Sequence, residues 1–370
     1  MNLFIGLMSG TSMDGIDAAL VDLSTQTLIE GLTIPYSSLA RDAIQDVLEG
    51  RHTLGSYSQL NTLLGREFAK AVRQLLKQTA VPHNRINAIG SHGQTLCHNT
   101  QAAVPYTVQL GCGHTIAELT GITVVADFRT RDLVLGGQGA PFAPIYHQAL
   151  FSHLPLPLAV VNVGGIANLT WLNNHEVSGF DTGPGNCLMD AWISRHQHQP
   201  FDRHGAWAAS GTVIDELLHS LLADPYFNQP APKSLGKEYF NDEWLHSRLK
   251  PRYLPQDVQA TLLAFTAVTI ADSIRAQTIT PNQVLICGGG AHNDQLLRVL
   301  QQQLPEIEVQ STAKTGINPD FIEAQLFAWL AEKTLSGTPL DLSQVTGAKG
   351  RAVLGAIYAA GIDKRISVEV

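Results

Sequence analysis

Residues 6–17 read GLMSGTSMDGID: a short apolar strand, Leu3 to Leu7, runs into a turn of small and hydroxylic residues and leaves it as a second apolar strand, Ile16 to Leu23. Small residues let the backbone approach a ligand closely, and successive N–H groups with nearby hydroxyls can surround an anion without a fixed cationic side chain. Ser9, Gly10, Thr11, Ser12, Asp14 and Gly15 are therefore candidate phosphate contacts, although the turn contains no Lys. The competing reading is a tight hairpin whose Ser and Thr satisfy their own backbone.

The arrangement recurs downstream. The apolar strand Leu158 to Val163 meets Gly164-Gly165 and turns into Ile166 to Leu172 (AVVNVGGIANLTWL), which adds Asn162, Gly164 and Gly165 to the candidate anion contacts. Two glycine turns between paired strands suggest a duplicated fold. A third cluster, Gly288, Gly289 and Gly290, follows the apolar strand Val284 to Cys287 and precedes a helix-like segment from Asn293 to Leu304, the layout of a strand-to-helix ligand turn.

The order of elements extends this. Strands at Leu3–Leu7, Ile16–Leu23 and Thr27–Pro35 are followed by helical patterns near 40–49 and 57–79, then strands near 86–90 and 122–126 with a helix near 113–120 between them. In the longer helix Leu60, Leu63, Leu64, Phe68, Val72, Leu75 and Leu76 keep helical spacing, an apolar stripe facing a core. The second half repeats the order with strands at 158–163, 166–172 and 176–180, helices, and strands at 283–287 and 307–310. Three strands followed by alternating helix and strand suit a ribonuclease-H-like domain. The expected division is 1–129 plus 348–370 for the first domain and 130–347 for the second, which carries a loop-rich, proline-containing insert at 223–256. Residues 350–361 (GRAVLGAIYAAG) read as a small-residue helix packing back on the first domain.

Composition agrees with two domains. The chain has 370 residues, against roughly 150 per domain, and is 44% apolar and 15% charged, a balance that buries a large core. A formal net charge of −8 without Lys/Arg runs argues against a nucleic-acid surface. Cys97, Cys112, Cys187 and Cys287 are scattered without a CxxC pair, which points to reduced thiols in a cytoplasm rather than a zinc site or a disulfide framework. The opening MNLFIGLMSG lacks a basic leader, and its apolar run is short for a secretory signal. The longest apolar stretch, TLLAFTAVTIA at 261–271, is interrupted by threonines and flanked by Asp257 and Asp272, so it reads as a buried core helix and no membrane is expected.

Several chemistries lack their defining residues. There is no GxxxxGK[ST] or GxGxxG, neither Ser9 nor Ser12 sits in a GxSxG elbow, and the 14 histidines yield no HExxH. The informative acid is Asp181, which follows the strand Glu176 to Phe180 and precedes Thr182-Gly183-Pro184-Gly185-Asn186 at the start of a helix. Its carboxylate either points into a ligand cleft or caps that helix. Arg129 ends the segment ADFR at the first domain crossing, and Glu323 lies just inside the helical segment FIEAQLFAWLA. Each is a cleft candidate, with a surface ion pair or a favourable first-turn acid as the plain alternative. His92, Gln94 and Thr95 sit at a Gly-containing strand end, where they would hydrogen-bond sugar hydroxyls or satisfy local backbone.

Taken in order, MSGTSMDGID, SHGQT (91–95), ADFR (126–129), NVGGIANLT (162–170), FDTGPGN (180–186), PKSLGKEYF (232–240), CGGGAHN (287–293) and FIEAQLFAWLA (321–331) resemble the anhydro-N-acetylmuramic acid kinase family, a branch of the sugar kinase, heat-shock chaperone and actin superfamily. The resemblance runs nearly end to end. It implies two ribonuclease-H-like domains around a central nucleotide cleft, the actin-like ATPase fold. It implies ATP and Mg2+ as cofactors, an anhydro-sugar of peptidoglycan recycling as substrate, and a homodimer. By the same resemblance Asp181 matches the base that activates water, the glycine turns and Asn293 hold nucleotide, and His92, Gln94, Thr95, Arg129 and Glu323 line the sugar. FDRHG departs from the family pattern at Arg203 and His204, which carry no assigned role. Two alternatives stand beside this reading: another sugar or carboxylic-acid kinase of the superfamily, and a non-catalytic nucleotide-gated binding protein.

Overall fold

A computed structural model describes residues 1–10, 15–231, 233–236 and 239–361. Thr11, Ser12 and Asp14 lie outside the described residues, as does the end of the 348–370 segment. The chain divides into two units, Met1–Phe142 with the chain from Phe321 onward, and Ala143–Asp320.

In the first unit β1 (Leu3–Ser9), β2 (Ile16–Asp22) and β3 (Thr27–Ile34) form an antiparallel meander, and β4 (Ala88–Asn99) and then β6 (Val124–Ala126) add in parallel beside β1. β5 (Tyr106–Leu110) pairs antiparallel with the far end of β4. β1 is central and almost wholly buried, as the unbroken run Leu-Phe-Ile-Gly-Leu requires of a strand covered on both faces. The helix Leu54–Thr79 starts with a capping box between Thr53 and Ser56 and buries Leu60, Leu64, Phe68, Val72 and Leu75, the stripe expected from its spacing.

The second unit repeats the plan. β7 (Leu158–Val163), β8 (Ile166–Leu172) and β9 (Val177–Pro184) form the meander, and β10 (Gln283–Cys287) and β11 (Glu308–Ser311) add in parallel beside β7. Sheet order is thus β3-β2-β1-β4-β6 in one unit and β9-β8-β7-β10-β11 in the other, the duplication anticipated from the two glycine turns. The helix Pro255–Arg275 has the length and hydropathy of a membrane span, but 78% of its apolar window is buried inside the unit, so it is core. Its threonines are used: the Thr266 hydroxyl lies 3.1 Å from the carbonyl of Pro184 and 2.9 Å from that of Gly185.

Three expectations are corrected. The boundaries shift, because the helix Ile322–Leu335 belongs to the first unit: a Cβ on Gly6 would stand 1.7 Å from the Ala324 carbonyl and one on Gly90 1.9 Å from that of Phe327, so the helix backbone rests directly on β1 and β4. Segment 130–142 joins the first unit too, where Asp132 accepts from the Thr346 hydroxyl at 2.7 Å and from the Gly139 amide at 2.6 Å. Residues 350–361 are not a helix. Gly350 and Gly355 hold φ of +96° and +84°, which breaks helical progression, and β14 (Ala356–Tyr358) runs antiparallel to β6 while β13 (Arg351–Ala352) pairs with β12 (Leu340–Asp341). Lastly, Asp181 lies inside β9 rather than beyond its end.

Candidate active site

In the second unit three predicted segments converge at the carboxyl ends of β7 and β10, where ligands of open α/β sheets bind. The Gly164 carbonyl accepts from the Asn186 amide at 2.8 Å, and the Gly165 carbonyl accepts from Gly185 at 2.8 Å and Cys187 at 3.1 Å. Asn186 Nδ2 donates to Val163 O at 3.0 Å. The β7–β8 turn and the turn after Asp181 are thereby locked together at the start of the helix Cys187–Gln197.

The glycines there separate into two kinds. A Cβ on Gly288 would meet Asn162 Oδ1 at 2.2 Å and one on Gly290 would meet Val163 Cγ1 at 2.4 Å, so these two are small because β7 lies against them; Gly288 also has φ +73°. Gly164, Gly165 and Gly289 have room for a side-chain carbon, their nearest would-be Cβ contacts being at ordinary van der Waals distances of 3.7, 3.9 and 3.7 Å. Bare backbone with room before it is a cradle suited to phosphate oxygens. Asn293 caps the helix Asp294–Gln303, its Oδ1 accepting from Leu296 at 3.0 Å. Beside it, the Gly205 end of FDRHG packs close to Asn293 Oδ1, and His204, at φ +57°, pairs with Asp294 at 3.0 Å.

Asp181 does not cap a helix. It stands opposite Asn168 at a β-bulge, the ladder jumping from Asn168↔Asp181 to Ala167↔Gly183, and such an extra residue re-aims the side chains around it. Thr182, the residue in the bulge, donates its hydroxyl to Ala167 O at 3.2 Å. The Asp181 carboxylate accepts from the Leu235 amide at 2.8 Å through Oδ2. Burial raises its pKa to about 6, with the Leu235 hydrogen bond opposing the rise. A carboxylate poised near neutrality has the proton affinity of a general base.

The first unit carries the other candidates. Ser9 is 1% exposed, its hydroxyl 2.9 Å from the Gly15 carbonyl and 2.8 Å from Gln94 Oε1. Gln94, equally buried, also accepts from the Tyr36 hydroxyl at 3.3 Å and donates to Gly10 O at 3.3 Å. Both side chains hold the two ends of the 6–17 turn in place. A Cβ on Gly15 would lie 2.5 Å from Ile34 O, so that glycine answers to β3. Thr95 faces β5, its hydroxyl accepting from Gln109 Nε2 at 3.3 Å.

His92 and Arg129 are a pair. The His92 Nδ1 is 2.9 Å from the Gly93 carbonyl, which can only accept, so Nδ1 carries the proton; Nε2 then accepts from Arg129 Nε at 3.1 Å. Burial, then the Arg129 charge, hold the imidazole well below its ordinary pKa, hence neutral. Arg129 is lowered to about 10 by burial and raised by Glu323, and it stays cationic at neutral pH. Glu323 is exposed to solvent yet set among enough protein to raise its carboxyl, with Asp17 adding to the rise and Arg129 opposing it. Sequence reasoning grouped these residues as sugar contacts; it did not assign His92 the task of orienting Arg129, which only the approach of β4 to the 126–129 segment creates.

A sequence model of the family described as anhydro-N-acetylmuramic acid kinase matches residues 2–360. A protein named anhydro-N-acetylmuramic acid kinase from Legionella pneumophila (strain Corby) is 58% identical over 360 residues, covering 97% of this chain and 98% of its own. One of the same name from Xylella fastidiosa (strain Temecula1 / ATCC 700964) is 48% identical over 367 residues, covering 97% and 96%. Among solved structures, component A of the Acidaminococcus fermentans (R)-2-hydroxyglutaryl-CoA dehydratase covers 91% of this chain and all of its own, with TM-score 0.51 at 11% identity, a likeness of fold alone. With a match across nearly its whole length and relatives at such identity, this chain belongs to the anhydro-N-acetylmuramic acid kinase family.

Proposed function

We propose that this protein is an ATP-dependent kinase that opens the 1,6-anhydro ring of 1,6-anhydro-N-acetylmuramic acid with water and phosphorylates it to N-acetylmuramate 6-phosphate, a step of peptidoglycan recycling in the cytoplasm. The observation that carries this reading is Asp181: a buried carboxylate with pKa near 6, held by one oxygen, in the same unit as open glycine turns suited to phosphate. Asp181 takes a proton from water as the water oxygen bonds to carbon 1. The bond from carbon 1 to the bridging oxygen breaks, and its electron pair leaves oxygen 6 as the nucleophile for the γ-phosphorus. The bond from phosphorus to the leaving oxygen breaks, and ADP departs. This is the device of an inverting glycosidase with phosphate, rather than a proton, capturing the leaving oxygen.

Gly164, Gly165 and Gly289 would hold the nucleotide phosphates through their backbones. Magnesium would supply charge neutralisation on the phosphates. Among the described residues no group of three His, Cys, Asp or Glu side chains is arranged to bind a metal, and we assign the ion to the nucleotide. Arg129, aimed by His92, would fork onto the lactyl carboxylate of the sugar. The assembly proposed is the homodimer that the family resemblance implies.

The test is incubation with ATP, magnesium and the anhydro-sugar in 18O-water. The expected product is a 6-phosphate carrying one solvent oxygen at carbon 1. Equal or faster phosphorylation of the already hydrolysed sugar would replace this reading with that of an ordinary sugar kinase. ATP binding without turnover of either sugar would favour a nucleotide-gated binding protein.

A further inference from the structure

Among the described strands β9 is the edge of its sheet, paired on one side with β8 only. At Asp181 the other side is covered by the loop-rich segment that follows residue 223. The Asp181 amide donates to Lys233 O at 3.0 Å, its carbonyl accepts from the Tyr226 hydroxyl at 2.6 Å, and its Oδ2 accepts from the Leu235 amide at 2.8 Å. One segment therefore grips this residue at its N–H, its C=O and its carboxylate. The grip is itself anchored. Tyr226 is 2% exposed and donates its amide to Asp224 at 3.0 Å. Asp224 also accepts from the Tyr239 hydroxyl at 2.9 Å and Trp244 Nε1 at 2.8 Å, and pairs with Arg248 at 3.3 Å. Lys233 closes the loop, its ammonium donating to Tyr226 O at 3.2 Å and standing 4.5 Å from the Tyr226 ring centre.

Folding of β9 does not call for this. Its ladder with β8 runs from Val177 to Pro184 with only the Thr182 bulge interrupting it, and the phenol of Tyr226 could be buried as phenylalanine rings are elsewhere in the same cluster. A buried hydroxyl spent on one backbone carbonyl beside a bulge fixes the angle at which the strand presents its side chain. No described residue donates to Oδ1, whereas Oδ2 is held.

We propose that Tyr226, anchored by Asp224, is a positioning residue for the Asp181 carboxylate: its hydroxyl and the Leu235 amide fix the strand and Oδ2, so that Oδ1 is the oxygen aimed at the substrate water. This rests on the reading of Asp181 as the base, and the two can fail separately. The ionisable groups of the segment bonded to Asp181 are Tyr226 and Lys233; burial raises the pKa of the first and lowers that of the second.

The test compares Tyr226→Phe, Asp224→Asn and Asp181→Asn with the parent protein, reading kcat, KM for sugar and ATP, and the pH dependence of kcat. A misaimed base lowers kcat by about 10- to 100-fold in Tyr226→Phe while both KM values stay within about 3-fold. The acid limb should also move to higher pH, because a looser Leu235 hydrogen bond no longer favours the ionised carboxylate. Asp224→Asn should follow in the same direction. If Asp181→Asn is inactive while Tyr226→Phe keeps the parent kcat and acid limb, the positioning role is overturned, whatever its melting temperature. If Asp181→Asn stays active, the base itself is misassigned.

Discussion

At residue scale, the chemistry turns on where protons sit. Asp181 titrates near 6 because burial disfavours its charge, so the rate should fall as pH drops through that value and level off above it. Replacing it by Asn keeps shape and removes the acceptor, which should cut kcat by at least about 100- to 10,000-fold while nucleotide affinity survives. His92 offers a contrasting case. His92→Phe keeps a ring against Phe327, 4.7 Å away, but leaves Arg129 without its acceptor. Sugar KM should rise about 10-fold, roughly 1.4 kcal/mol, with ATP affinity unchanged by calorimetry. An unchanged sugar KM would detach Arg129 from the substrate.

At the scale of elements, glycines separate ligand contact from packing. A Cβ on Gly165 meets nothing closer than 3.9 Å, so in Gly165→Val thermal stability should stay within about 0.5 kcal/mol of the parent while ATP binding weakens sharply. Gly90→Val should do the reverse, destabilising by about 1–3 kcal/mol or more, because the helix Ile322–Leu335 has no room to retreat from the Phe327 contact. Melting curves with and without ATP distinguish the two outcomes. A Gly165→Val protein with parental ATP affinity would remove the β7–β8 turn from the nucleotide site.

At the scale of the molecule, buried histidines set the acid stability. His147 is 1% exposed, donates to or accepts from the Thr170 hydroxyl at 2.9 Å, and burial lowers its pKa to about 3. Its folded pKa lies below the unfolded value near 6.5, so the unfolded chain binds the extra proton: the contribution is intact above about pH 6.5 and drains away below it, by about 2 kcal/mol between pH 7 and 5. Asp181 and Glu323, raised by burial, act in the opposite sense. Denaturant unfolding at both pH values should therefore show a pH 7-to-5 loss about 2 kcal/mol smaller in His147→Phe than in the parent. An identical loss would mean that His147 is protonated in the folded protein.

Much of this was legible in the chain because local rules and global fold agree. The meanders, the helix stripe at 60–75 and the glycine turns at 164–165 and 288–290 follow from period, turn chemistry and strand length. Asp181 stood out by its setting between an apolar strand and a glycine-rich turn. Tertiary contact decided the rest. The sequence 350–361 has helical composition, yet left-handed glycines and the open flank of β6 make it a strand. Ser9 and Gln94 bond each other and His92 bonds Arg129, contacts that no spacing in the chain announces. Tyr226 gave no signal in the chain, since its partner is a backbone carbonyl 45 residues away. Hydrogen bonds between residues so distant depend on which edges and turns the fold brings together, and no periodicity encodes that.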